Sequence, residues 1–255
     1  MPRTLDDMSR LLERDLAEIK RSAAEASKTE IRNVDLDRYI SPPTHTPYAL
    51  EYAFHLLGDV RETTVLDLGC GSGENIVPLA RRGARVIGID ISSELIDVAR
   101  ARLELTGTEA ELRVESAYDT GLPDRSIDVI FMIALVHHLN IPRAREEMRR
   151  ILAPSGCVIF KEPIRFSKSY AKVRSLLPSF GDVSEFEHPL TPPEMTELVR
   201  GFKVEGLRYF RLPFIPLVEH CVGVSYGWMY QASNWCINNL HFTEKFATLV
   251  VGRMV

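Results

Sequence analysis

The apolar run Val65-Leu66-Asp67-Leu68 leads straight into Gly69-Cys70-Gly71-Ser72-Gly73, and 17 residues past Gly73 a second run, Val86-Ile87-Gly88-Ile89, ends in Asp90. A buried strand that breaks into alternating glycines turns sharply and lets a ligand approach the main chain closely. An acid at the end of the next strand is placed to accept two ribose hydroxyls. These residues predict a parallel α/β sheet and a nucleoside site. A dinucleotide fingerprint is G-x-G-x-x-G, which seats a pyrophosphate on the following helix. Here the spacing is G-x-G-x-G, and Glu74 stands where the last glycine would be needed, so a carboxylate would repel the pyrophosphate.

With Asp67 before the loop, the arrangement resembles the first motif of the class I S-adenosylmethionine (SAM) dependent methyltransferases, from about Thr64 to Ile164. The resemblance implies a Rossmann-like, doubly wound sheet of seven strands, parallel with an antiparallel last strand, and SAM as cofactor. It places Gly69, Cys70, Gly71 and Gly73 against the methionine part and ribose, with Asp67 below the loop, near the ligand amino group through water. Asp90 would hold the ribose, Ile91 would lie against the adenine, and Ile133 and Tyr39 join the predicted cofactor contacts. An acid followed by a small residue is usual after the third strand. This chain has Ser116-Ala117-Tyr118-Asp119, so either Ser116 or Asp119 would meet the adenine, beside Ala117 and Tyr118. The stretch Asp128–Leu139 resembles the fourth strand and the histidine pair, His137 and His138, of many small-molecule members.

Around this motif strands and helices alternate, which predicts helices on both sheet faces. Strands are expected at Thr64–Leu68, Arg85–Ile89, Ala110–Val114, Asp128–Ile133, Cys157–Lys161, Phe202–Phe210 and Lys245–Val251. Helices are expected at Tyr48–Leu57, Asn75–Arg82, Ser93–Leu105 and Pro142–Leu152, with another beginning at the capping box Thr191-Pro192-Pro193-Glu194. Near the N-terminus Leu5, Met8, Leu12, Leu16 and Ile19 form an apolar helical stripe. Residues 1–58 thus read as a helical N-terminal extension, either a lid or an outer packing helix. Residues 59–255 read as the SAM-binding domain, with cap segments at 165–190 and 212–243. The second cap is a helical insertion before the last strand, rich in aromatics: Phe214, Tyr226, Trp228, Tyr230 and Trp235.

The chemistry is expected at strand ends. A histidine has an unperturbed pKa near neutrality and can take a proton from a hydroxyl. His138 and His137 are therefore the catalytic candidates, with His138 preferred, and the reading that one of them only fixes a loop stays open. Glu162, straight after the fifth strand, is either a substrate contact or a loop anchor. Asp182, Glu185, Glu187 and His188 form a solvated acidic loop, a substrate clamp or, as the third reading, a metal site. Trp228, Tyr230 and Trp235 are read as walls of an apolar acceptor pocket, as a cation–π cage, or as packing and dimer contacts. The acidic pattern that metal-using catechol-type enzymes carry near the fourth strand is absent, and no metal is predicted.

A net charge of −4 over 255 residues gives no general attraction to nucleic acid. No run of 18 apolar residues marks a membrane span. Four dispersed cysteines and an acidic start without an apolar segment fit a cytoplasmic protein. The expected activity is methyl transfer from SAM to an oxygen or nitrogen of a small molecule. A carbon acceptor in a quinone-like or lipid-like substrate is the alternative enzyme reading, and a SAM-binding module without activity is the other. An Asn-Pro-Pro-Tyr element after the fourth strand is missing, which disfavours adenine in DNA and protein glutamine as targets.

Overall fold

The computed structural model describes residues 5–27, 36–165, 188–213, 215 and 227–255. Seven strands form one sheet: β1 (Thr64–Leu68), β2 (Arg85–Asp90), β3 (Glu111–Val114), β4 (Ile127–Ile133), β5 (Leu152–Pro163), β6 (Val204–Phe210) and β7 (Leu249–Met254). Their order is β3-β2-β1-β4-β5-β7-β6. All pairings from β3 through β5 are parallel, and β7 runs antiparallel to both β5 and β6. The strand order reverses at β1 and β4, which opens a crevice at their C-terminal ends, the place where ligands bind in such sheets.

Burial on both faces explains the unbroken apolar strands. In β4, Ile130 and Met132 pack with Ile141, Ala144 and Met148, while Val129 and Phe131 pack with Ala53, Phe54, Val77 and Ile96 on the opposite face. The first set comes from α6 (Ile141–Ile151). The second comes from α3 (Ala49–Leu56), α4 (Ile76–Arg81) and α5 (Ser93–Thr106). A short α2 (Asp37–Ile40) precedes α3.

Local chemistry sets the helix ends. Ser92 accepts from Leu95 N at 3.3 Å to start α5, and Gly107, at φ 59°, stops it. Asn140 caps α6, with Pro142 in its first turn. Thr191 and Glu194 close the expected capping box of α7 (Pro192–Leu198).

Two strand starts differ by four or more residues from the sequence reading. The last strand begins at Leu249 rather than Lys245, because His241–Phe246 winds into a 3₁₀ turn. The fifth starts five residues early, at Leu152, where α6 runs directly into it. In the second cap, α8 covers Gly227–Asn239, while Phe214 and Tyr226 lie outside the described residues, as do Asp182, Glu185 and Glu187 of the first cap.

The N-terminal helix α1 (Leu5–Ala26) packs against α5, and Leu16 of its apolar stripe is 57% exposed. No helix among the described residues is long and apolar enough to cross a membrane.

Candidate functional site

A cavity of about 540 Å³ opens at the C-terminal ends of β1, β2, β4 and β5. The glycine loop forms its floor. Gly69 N and Cys70 N both donate to Ile89 O, at 2.8 and 2.9 Å, which ties the loop to the end of β2. Gly71 N donates to Asp90 Oδ2 at 2.9 Å and Ser92 N to Asp90 Oδ1 at 3.0 Å, so this carboxylate joins the loop to the start of α5.

The three glycines serve different ends. At Gly71, φ is 51° and no described atom lies within 4 Å of where a Cβ would stand, so the main chain is bare toward the cavity. At Gly73 a Cβ would meet Ala99 Cβ at 3.0 Å, so this glycine seats the loop on α5. At Gly69 a Cβ would collide with Leu135 Cδ1 at 2.6 Å, which presses the glycine loop against the turn after β4.

That turn carries the histidines. Ala134, a non-glycine residue at φ 56°, reverses the chain as it leaves β4, and its N–H donates to Lys161 O at 2.8 Å. Val136–His138 then forms a 3₁₀ turn. Glu162 is wholly buried beneath it. One carboxylate oxygen accepts from Leu135 N and Val136 N, both at 2.8 Å, and the other lies 2.7 Å from His137 Nδ1. His138 Nδ1 pairs with Glu18 Oε2 at 3.2 Å, and the two imidazole centroids are 4.0 Å apart.

The other wall is α1. Arg14, Glu18, Arg21 and Glu25 recur at helical spacing and line the cavity beside Asp15 and Ser22. Arg14 Nη2 donates to His137 O at 3.0 Å. This polar stripe escaped the sequence reading, which followed the apolar stripe of the same helix; its spacing of four, three and four residues was the available signal. Lys161, Leu50, Leu68 and Glu115 also line the cavity and were not singled out.

Acidity concentrates around the loop. Burial, together with the nearby Asp90 charge, pushes the Asp67 carboxyl up to about 8. Burial also raises Asp90, against the hydrogen bonds from Ser92 and Gly71. For Glu18, burial acts upward, but the hydrogen bonds from His138 and Arg21 outweigh it and hold the carboxyl at about 2.

The comparisons with known proteins agree with this geometry. A family model described as "Methyltransferase domain" matches residues 66–160. A ubiquinone biosynthesis O-methyltransferase from Cereibacter sphaeroides is 30% identical over 183 residues, covering 68% of this chain and 70% of that one. The protein of the same name from Nitrosomonas europaea is 28% identical over 207 residues, covering 74% and 87%. The chain belongs to the class I SAM-dependent methyltransferases.

Solved methyltransferase structures share the fold of this enzyme. The geranyl diphosphate C-methyltransferase of Streptomyces coelicolor aligns with TM-score 0.59 at 15% identity, covering 85% of this chain and 86% of that one. A SAM-dependent methyltransferase of Aquifex aeolicus aligns with TM-score 0.55 at 17% identity, covering 88% and 100%.

The residues of this methyltransferase fit its cofactor. Asp67 is fully buried, and neither carboxylate oxygen has a hydrogen-bond partner among the described residues, an arrangement that a cationic ligand relieves. The bare face of Gly71 leaves room for a ligand against the main chain. The backbone N–H groups that reach Asp90, from Gly71, Ser92 and Ile91, do not use all of its lone pairs and leave room for a hydroxyl donor.

The methyltransferase cavity gathers Gly69, Cys70, Gly71, Asp90, Ile91, Ser116, Ala117, Tyr118, Ile133, His137 and His138. Of the two residues considered for the adenine end, Ser116 lines it and Asp119 does not. Asp67 and Gly73 sit behind the lining. Tyr39 does not line the cavity; its ring packs 4.9 Å from Phe54.

Glu162 lies under the turn as its anchor. His188 is exposed and pairs with Glu194 at 2.9 Å. Tyr230 packs on Tyr48, centroids 5.0 Å apart, and Trp228 and Trp235 are 69% and 59% exposed. These three aromatics form no cage around the cavity, because α8 packs on the β6 edge, where Arg208 donates to Asn234.

Proposed function

We propose that this methyltransferase methylates a hydroxyl oxygen of a small acceptor, with His137, oriented by Glu162, taking the hydroxyl proton. The observation that carries the reading is the 2.7 Å contact between His137 Nδ1 and the buried Glu162. A carboxylate on Nδ1 fixes the tautomer that leaves Nε2 as proton acceptor, the arrangement of an activated general base. His137 therefore takes the role over His138, whose Nδ1 is engaged by Glu18 of α1.

When bound, SAM supplies an activated methyl on a sulfonium, and the C–S electron pair stays on sulfur as the methyl leaves. The chain's residues position and enclose. Asp90 and the Gly71 main chain would hold the ribose, and Ile91, Ser116, Ala117 and Tyr118 would flank the adenine. The polar stripe of α1 closes the cavity against water, which serves a reaction that depends chiefly on alignment. The volume lies within the usual range for small-ligand sites. Oxygen as acceptor atom is also supported by the relatives, which are named ubiquinone biosynthesis O-methyltransferases.

The test combines isothermal titration with S-adenosylhomocysteine and transfer of labelled methyl from SAM to a panel of phenols and catechols. Binding, with label found on oxygen and lost in His137→Asn, is the expected result. No binding at millimolar S-adenosylhomocysteine, or full transfer by His137→Asn, overturns the reading.

A further inference from the structure

The cavity contains a cation that the proton-transfer scheme does not use. Lys161 leaves β5 next to Glu162, but consecutive strand residues point to opposite faces. Glu162 is spent on Leu135, Val136 and His137 beneath the turn. Lys161 instead lines the cavity, in register with Ile133 of β4. No hydrogen bond or ion pair reaches its ammonium group among the described residues. Burial lowers its pKa, the Glu162 charge opposes this, and Arg211 adds to it. The charged and titratable groups on the other cavity walls are Arg14, Asp15, Glu18, Arg21, Glu25, Glu74, Asp90, Glu115, His137 and His138. Glu18 is already paired with His138 and Arg21.

We infer that Lys161 is the acceptor-binding cation of this methyltransferase, holding the methyl-accepting oxygen as an oxyanion. The inference rests on the hydroxyl-methylation reading above. A half-buried ammonium with no hydrogen bond or ion pair among the described residues favours an anionic ligand. The sheet order decides which anion. β4 separates β5 from β1, so the end of β5 lies about 10 Å from the glycine loop, at neighbouring-strand spacings of about 4.8 Å. Lys161 thus stands on the acceptor side of the cavity rather than beside the ribose.

In this scheme the hydroxyl proton passes to His137 and the resulting oxyanion pairs with Lys161. The oxygen then forms its bond to the methyl as the C–S bond breaks, and no further reactant is needed. Pairing with a fixed cation lowers the pKa of the bound hydroxyl.

The probe is 4-nitrocatechol, whose phenolate absorbs in the visible, titrated with pH in the presence of saturating S-adenosylhomocysteine. In the wild type the bound phenol is expected to ionise about one unit below the free probe. Lys161→Met should abolish this shift and Lys161→Arg should keep most of it, with S-adenosylhomocysteine affinity within about threefold of wild type in both. For an acceptor that turns over, Lys161→Met should lose about 10²-fold in kcat/KM.

A wild type that leaves the probe's titration unchanged, or a Lys161→Met protein that keeps the shift, overturns the inference. So does a tenfold loss of S-adenosylhomocysteine affinity with the shift retained, because Lys161 would then serve the cofactor carboxylate. Phenolate binding that depends on Lys161, with no hydroxyl methylated in the acceptor panel, would remove the functional reading and leave the oxyanion site standing.

Discussion

Glu162 Oε2 lies 2.7 Å from His137 Nδ1, while Glu162 Oε1 accepts the backbone N–H groups of Leu135 and Val136. One buried carboxylate thus sets both the imidazole and the main chain that carries it. The link continues to the cofactor loop, since Leu135 fills the space where Gly69 lacks a side chain. The proposed base and the glycine loop are thus joined through packed groups rather than through the solvent.

Glu162→Gln tests this coupling. The amide keeps the size and one acceptor but cannot hold the same tautomer, so kcat is expected to fall by about 10²-fold while S-adenosylhomocysteine affinity stays within about threefold. Glu162→Ala leaves two buried N–H donors without their acceptor. A loss of about 1–3 kcal/mol of stability is expected, read from urea unfolding. Unchanged kcat in the glutamine variant would show that Glu162 serves only the fold.

Substitution at two glycines of one loop separates ligand effects from packing effects. Gly71→Ala puts a methyl where no described atom lies within 4 Å, at φ 51°. It should destabilise by about 1 kcal/mol through backbone strain alone, yet weaken S-adenosylhomocysteine binding at least about tenfold. Gly73→Ala, at φ 78° and 3.0 Å from Ala99 Cβ, should show the reverse balance, with the larger drop in melting temperature. Calorimetry and thermal melts on both proteins decide; equal effects on both readouts would contradict the assignment.

The sheet and glycine loop were legible because their causes are local. Strands buried on both faces must be continuous apolar runs, and a turn at positive φ followed by close helix packing selects glycine. Asp90 was legible for the same reason, as the end of a strand whose register is set by its neighbours. The α1 wall was not, because a helical stripe tells which residues share a face but not what that face meets. There the polar face turned inward and Leu16 outward. Ala134 and Lys161 were also hidden. A backbone at φ 56° and an unpaired lysine are visible only once β4 and β5 lie side by side.

Asp67 makes the stability of the ligand-free enzyme depend on pH. Its carboxyl sits at about 8 in the folded protein and near 4 in the unfolded chain. Between those values the folded state binds more protons, so the stabilisation is complete below about pH 4 and is lost as pH rises toward about 8. Asp67→Asn should flatten this slope in urea midpoints measured across the interval. The ammonium group of the ligand's amino-acid part favours the ionised carboxylate, so S-adenosylhomocysteine should bind more tightly as pH rises and release a proton on binding. Titration in buffers of different ionisation enthalpy measures that release, and its absence in the wild type would disconnect Asp67 from the ligand.

The hold on α1 should depend on Glu18. Its carboxyl reaches His138 Nδ1 at 3.2 Å and Arg21 at 2.6 Å, and these contacts outweigh burial to keep it at about 2. A depressed carboxyl stabilises above its ordinary pKa, near 4.5, and this contribution is lost as pH falls toward about 2. Glu18→Gln removes the charge at every pH. Because Arg14 and this cluster join α1 to the turn after β4, beside its packing on α5, the variant should open locally while the sheet stays intact. Hydrogen exchange across residues 5–27 should rise by about fivefold, corresponding to about 1 kcal/mol of docking, and S-adenosylhomocysteine should dissociate faster by a similar factor. The global melting temperature should scarcely move. Exchange that stays at the wild-type rate would mean that α1 is held by its packing on α5, and that Glu18 acts on the ligand alone.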